Sequence, residues 1–87
     1  MRIYKFKLDI EDMRLVRMPK GAKILSVQNQ REEVCIWAEV DPDAHQTIRR
    51  IAIHGTGHTV TPGGQFVGTF QLSGGDFVGH VYDHGEI

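Results

Sequence analysis

Residues 22–41, AKILSVQNQREEVCIWAEVD, consist of two apolar runs separated by a short polar stretch at 29–32. The second run alternates, so that Val34 and Ile36 share one face while Trp37 lies on the other. Apolar runs with period two that flank a polar reversal predict a β-hairpin. Because its second strand is apolar on both faces, we expect that strand to be central in a sheet. This hairpin sets the fold class as all-β.

The same period of two continues through the rest of the chain. It is clearest in IYKFKLDI (3–10), IRRIAIH (48–54), QFVGTFQL (65–72) and DFVGHVYD (76–83), and no stretch of ten residues has helical periodicity. The pattern predicts a small single domain over residues 1–87, a β-sandwich or barrel of about seven short antiparallel strands. The predicted core consists of Tyr4, Phe6, Leu8, Leu25, Val27, Ile36, Trp37, Ile51, Ile53, Phe70 and Val81.

Composition excludes several classes of protein. The chain has 87 residues, a formal net charge of −1 and one cysteine. A duplex-binding domain usually carries a basic excess, so nucleic acid is an improbable partner. No run approaches the roughly 18 apolar residues of a membrane-spanning helix. One cysteine cannot form an intramolecular disulfide, which suits a reducing compartment. We therefore expect a soluble, intracellular protein without membrane association.

Nine of the ten glycines lie between Gly55 and Gly85. Two of them, Gly68 and Gly79, fall inside predicted strands, where glycine often marks a bulge or the close approach of another backbone or a ligand. The C-terminal half is therefore either a sharply curved sheet or a surface open to a ligand or partner.

Four of the five histidines form two pairs, His54/His58 and His80/His84, each four residues apart. Zinc needs four converging ligands with a second shell that orients them, and histidines at strand ends provide neither by pattern alone. We predict no metal and no cofactor. The sequence HGTG also spells the His-x-Thr-x element of two-histidine phosphodiesterases, but HVYD at His80 lacks the matching hydroxyl.

The segment IAIHGTGHTV (51–60) ends a strand in a glycine loop. No nucleophile elbow or phosphate-binding fingerprint that opens a helix is present, so the chain is predicted not to be an enzyme. Backbone N–H groups beside glycine can form a nest that accepts phosphate or carboxylate oxygens, and threonine hydroxyls add donors. The alternative is an ordinary tight loop. The predicted ligand-binding residues are Arg49, Arg50, His54, Gly55, Thr56, Gly57, His58, Thr59 and Thr61.

Five stretches resemble a family of small proteins encoded by tailed phages and prophages. They are MPKGAKILSVQNQ (18–30), CIWAEVDPD (35–43), RRIAIHGTGH (49–58), FVGTFQ (66–71) and GGDFVGHVY (74–82). Met18 stands where the pattern has leucine, and Gly79 where it has an aromatic residue. The resemblance covers nearly the whole chain and brings no catalytic residues with it.

The resemblance implies a phage accessory protein that acts by binding. We expect it to counteract host antiviral defence, most concretely by sequestering a phosphate-bearing nucleotide signal. The alternatives are a protein-surface inhibitor of a host defence effector, as anti-CRISPR proteins are, a small histidine-dependent phosphoesterase, or a structural part of the virion.

A chain this short buries only about 60–65% of its unfolded surface, so we also expect a homo-oligomer.

Overall fold

A computed structural model describes all 87 residues as seven strands that form two antiparallel sheets. One sheet has three strands in the order β1-β4-β3, and the other has four in the order β2-β5-β7-β6. A single 3₁₀ turn, Ser73–Gly75, is the only helical element, and no helix could span a membrane. The strands are β1 Arg2–Leu8, β2 Met13–Pro19, β3 Lys23–Gln30, β4 Glu33–Val40, β5 Gln46–Gly55, β6 Gln65–Leu72 and β7 Phe77–Glu86.

The predicted all-β class and the antiparallel pairing of seven strands are confirmed. The hairpin predicted over residues 22–41 is β3–β4, and β6–β7 forms a second hairpin. The two sheets face each other as a sandwich. Along one side, β3 and β6 lie next to each other without pairing, while β1 and β2 adjoin only slightly on the other side.

The core lies between the inner faces of the two sheets. Because successive side chains of a strand point to opposite faces, every second side chain points into this space, and most of these are apolar. Of the eleven predicted core residues, Leu8, Val27, Ile36, Ile51, Ile53, Phe70 and Val81 are buried, and Phe6 packs against them while half-buried. The sequence missed further members, notably Val16, Met18, Val34 and Val40.

Three predicted core residues lie elsewhere. Leu25 is 43% exposed because the β3–β4 register shifts at this residue and a bulge takes it out of the ladder. Tyr4 is 39% exposed because its edge strand β1 is poorly covered by the opposite sheet. Trp37 is half-buried on the outer face of the three-stranded sheet, where its register partners are Lys5 and Ser26.

Both glycines that fall inside strands make room for a neighbouring side chain. A Cβ on Gly68 would lie 2.9 Å from Val27 of the facing sheet, and one on Gly79 would meet the Phe70 ring. The β6–β7 register also shifts between Phe66 and Gly68. The expected bulge is present beside Gly68, whereas the groups that approach the two glycines closely are the side chains of Val27 and Phe70, not another backbone or a ligand.

One buried ionic cluster links the two sheets. The Arg49 side chain is only 7% exposed and donates hydrogen bonds to Asp83 Oδ2 at 2.9 Å and to the Ala22 carbonyl at 2.6 Å. Its Nη2 lies 3.6 Å from Glu86. Glu86 in turn accepts hydrogen bonds from the Gly21 amide and the Thr47 hydroxyl. The cluster joins β5 and β7 to the turn between β2 and β3, which connects the two sheets at one end of the sandwich.

This cluster should make the protein lose stability in acid. The hydrogen bond from the Gly21 amide, and the positive charge of Arg49 beside it, hold the pKa of Glu86 below its ordinary value of 4.5. A carboxyl group with a lowered folded-state pKa stabilises the fold above the unfolded value, and that contribution is lost as the pH falls through the folded one. We expect the gap in urea midpoint between wild type and Glu86→Gln to be largest above pH 5 and to narrow steadily toward pH 3. A gap that stays constant over this range would contradict the assignment.

Candidate functional site

A row of apolar and aromatic side chains crosses the outer face of the four-stranded sheet. Met13 pairs with Ala52, Ala52 with Tyr82, and Tyr82 with Phe66, so the row touches all four strands. The Phe66 ring is 55% exposed and meets Tyr82 edge-on, with ring centroids 5.5 Å apart. Ala52 is fully buried beneath its neighbours. This cross-sheet row (Met13, Ala52, Tyr82, Phe66) forms an apolar platform with an open aromatic end.

A second row, the histidine row (His54, His80, Thr69), lies beside the cross-sheet row. His54 pairs with His80 across β5 and β7, and His80 pairs with Thr69 across β7 and β6. His54 also packs against Tyr82, with ring centroids 5.7 Å apart, which joins the two rows. On the other side of the cross-sheet row, Leu15 pairs with Arg50, and both are exposed.

The His80 ring is held at both nitrogens. Its Nε2 lies 2.8 Å from the Thr56 hydroxyl and its Nδ1 lies 3.0 Å from the Thr69 hydroxyl. Thr56 follows the end of β5, and Thr69 is on β6, so three neighbouring strands fix the imidazole. Both hydroxyls are exposed, which leaves this cluster open to solvent.

His54 is bonded differently. Only 7% of it is exposed, and its Nε2 accepts a hydrogen bond from the Thr61 amide at 3.4 Å. A neutral imidazole that accepts at Nε2 carries its proton on Nδ1. The loop that follows β5 therefore folds back over His54 and borders the face.

The face has no acidic side chain at the outward positions of its four strands. Arg17 and Arg50 are exposed there, whereas the two carboxylates of β7, Asp83 and Glu86, point inward to Arg49. Aromatic surface combined with arginine and histidine, without carboxylates, attracts anions and stacks planar rings.

Arg49, one of the predicted ligand residues, lies inside the sandwich and not on this face. By alternation it shares the inner face with Ile51, and its guanidinium is already paired with two carboxylates. Arg50, the next residue, is on the outer face, where its Nη2 donates to the His84 carbonyl at 2.9 Å.

The glycine loop lies at the edge of the face. Gly57 has a φ of +88°, and the His58 amide closes a turn onto the Gly55 carbonyl at 3.1 Å. Clefts of about 270 and 220 Å³ adjoin His58, one with Asp76 in its wall and the other with Asp12. Ligand pockets usually measure about 300–1,000 Å³, so neither cleft alone holds a nucleotide. Of the loop residues, His54 and Thr56 join the sheet face, while Thr59 and Thr61 line the smaller cleft.

The two histidine pairs converge only in part. His54 and His80 meet, but His58 packs on Gly55 and His84 packs on Gly64. No group of three or more His, Cys, Asp or Glu side chains is placed to hold a metal ion.

A family model described as a domain of unknown function, DUF7352, matches residues 1–86. The chain belongs to the DUF7352 family. No curated protein and no solved structure matches this DUF7352 chain.

Sequence reasoning missed Phe66, Tyr82, His80 and Thr69 as site residues of this DUF7352 protein. Pairing β6 with β7 outward from the SGG turn would have aligned His80 with Thr69, which supplies the hydroxyl that HVYD lacks. The same pairing would have placed Phe66 inward, because Gly68 indicates a bulge in this strand but not on which side of it the register shifts.

Proposed function

We propose that this chain is a non-enzymatic binding protein of a phage, which holds a phosphate-bearing nucleotide signal of the host. The signal binds on the outer face of the four-stranded sheet and is withdrawn from the defence system that senses it in the host cytoplasm. The phage context is what the sequence resemblance implies. The observation that carries the proposal is the cross-sheet row with its exposed Phe66 ring, flanked by arginine and histidine and free of carboxylates.

The cross-sheet row and the residues on either side of it would contact different parts of a nucleotide. An exposed aromatic ring offers a stacking surface to a base, an interaction that costs about 1–3 kcal/mol when the ring is removed. Arg50 lies on one side of the cross-sheet row and His80 on the other, so a phosphate has a cationic or hydroxyl-bearing contact on either side of a stacked base. Adjacent outward positions on a strand are about 6.6 Å apart, a distance that a ribose spans.

Calorimetry with cyclic dinucleotides, cyclic ADP-ribose and ADP-ribose tests this function. We expect one of these nucleotides to bind, and Phe66→Ala to weaken its affinity by about 1–3 kcal/mol through loss of stacking. Tyr4→Ala, which removes an exposed aromatic ring from the other sheet, is the matched control and should leave affinity unchanged.

The state of the ligand after heating separates sequestration from catalysis. Intact nucleotide released from denatured protein supports sequestration, whereas hydrolysed nucleotide would favour the phosphoesterase alternative. Equal losses for Phe66→Ala and Tyr4→Ala would contradict the assignment of the site to this face.

A protein-surface inhibitor of a host defence effector is the second candidate. Leu15 is 53% exposed and Met13 is 39% exposed on β2, at the edge of the same face. Exposed apolar side chains grouped on one face are typical of protein-binding surfaces. Failure of every nucleotide in the panel to bind would favour this candidate.

We also propose that the chain is a homo-oligomer, most simply a twofold dimer, formed through the outer face of the three-stranded sheet. That face combines Ile3, which is 61% exposed, with lysines and glutamates of both charges, and a twofold interface must complement itself. Sedimentation at micromolar concentration is expected to give twice the chain mass of 9.8 kDa, and Ile3→Lys to give the monomer. A wild-type monomer throughout that range would refute the dimer.

A further inference from the structure

We propose that His80, together with the Thr56 and Thr69 hydroxyls, forms a phosphate subsite. This inference rests on the proposed nucleotide site and assigns the part of that site that takes the phosphoryl group. The ligand class is a phosphate ester or free phosphate, recognised by two hydroxyl donors and an imidazole.

The number of free protons in the cluster determines what it can donate to a ligand. A neutral imidazole has one N–H and one lone pair, so it donates to one threonine oxygen and accepts from the other threonine hydroxyl. With both ring nitrogens bonded, at 2.8 and 3.0 Å, only one of the two hydroxyl protons is used inside the cluster. When the imidazole carries a proton on each nitrogen, both hydroxyl protons are free to bond outward.

A phosphoryl group matches what the cluster then offers. Two O–H donors are held on either side of a cationic ring, and a phosphate presents several acceptor oxygens to them. Hydrogen bonds in which one partner is charged are shorter and about twice as strong as neutral ones. The negative charge of the phosphate also favours the protonated ring, so each interaction strengthens the other.

The charges around the cluster are compatible with an anion. His54 is the cross-strand neighbour of His80 on β5, and Thr69 is its neighbour on β6. Asp76 lies in the wall of the cleft that Thr56 borders and makes no hydrogen bond to His80, whose two ring nitrogens are bonded to threonine hydroxyls. No carboxylate within the cluster therefore neutralises a positive charge on the His80 ring.

Binding of inorganic phosphate, followed by imidazole nitrogen resonances at constant ionic strength against chloride, tests the subsite. We expect a saturable change at the ring nitrogens of His80 and none at His45, which is exposed in the turn before β5. The double variant Thr56→Val with Thr69→Val should weaken phosphate binding at least about tenfold, because two charge-assisted hydrogen bonds are lost. Ser73→Ala, which removes an exposed hydroxyl from the turn between β6 and β7, should not change it.

The outcomes distinguish this subsite from the proposed function. If nucleotides fail to bind but phosphate shifts His80 and the double variant abolishes that shift, the subsite stands without the function. If a nucleotide binds equally well to the wild type and the double variant, the function stands and the subsite is overturned. Phosphate-induced changes that are equal at His80 and His45 would also overturn it, as would no change at His80.

Discussion

Replacing Arg49 with methionine is expected to lower the free energy of unfolding by about 3–5 kcal/mol, because the change leaves the partly buried carboxylate of Asp83 without its cation and the Ala22 carbonyl without its donor. The Arg49 side chain is 7% exposed and Asp83 is 18% exposed, so water cannot replace the lost hydrogen bond well. Methionine fills a similar volume, and the loss is therefore electrostatic rather than a cavity effect. Urea denaturation followed by circular dichroism measures the change.

The adjacent Arg50→Met is the matched control for Arg49→Met. Arg50 is on the same strand but exposed on the outer face, and its removal should cost less than about 1 kcal/mol. If Arg49→Met does not fold, Arg49→Lys keeps the charge, loses the forked geometry and should be measurably but less destabilised. Equal losses for Arg49→Met and Arg50→Met would show that the cluster does not stabilise the sandwich.

Phe70→Ala should cost about 3–5 kcal/mol, as expected for deletion of a buried phenylalanine ring. Phe70 is 2% exposed, and its ring lies over Gly79 of the neighbouring strand. Gly79→Ala should also destabilise, by about 1–3 kcal/mol, because its new methyl group would occupy space that the ring fills. Urea denaturation of both variants gives the two values.

The combined variant tests whether the ring and the glycine are one shape-matched pair. With Phe70 already removed, the methyl group of Gly79→Ala meets no ring, so the double variant should be more stable than the two single losses predict. Neighbours in contact typically show coupling of about 0.5–3 kcal/mol. Strict additivity would mean that the ring does not need the glycine.

The fold could be predicted from the sequence because alternation and turn residues act locally. The alternation in 48–54 places Ile51 and Ile53 inward and Arg50 outward, as observed. The same alternation also places Arg49 on the inner face. Arg49 was nevertheless predicted to contact a ligand because its side chain is positively charged. A buried arginine is possible here only because Asp83 and Glu86 arrive from a strand more than thirty residues away.

The candidate site was predicted only in part, and bulges explain much of the difference. A one-residue shift in register reverses the face of every residue beyond it. In β6 such a shift turns Phe66 to the outer face, and in β3 another takes Leu25 out of the core. Arg50 and His54 could be placed from alternation along β5, whose pairing with β2 is regular, and Thr56 directly follows that strand.

Chemical-shift mapping with the same nucleotide panel tests most directly whether the outer face of the four-stranded sheet is the binding site. A bound nucleotide is expected to perturb Phe66, Tyr82, His80 and Arg50 together, while residues on the outer face of the three-stranded sheet, such as Trp37, stay unchanged. Perturbation centred on Trp37 and its neighbours, with Phe66 and Tyr82 unaffected, would contradict it.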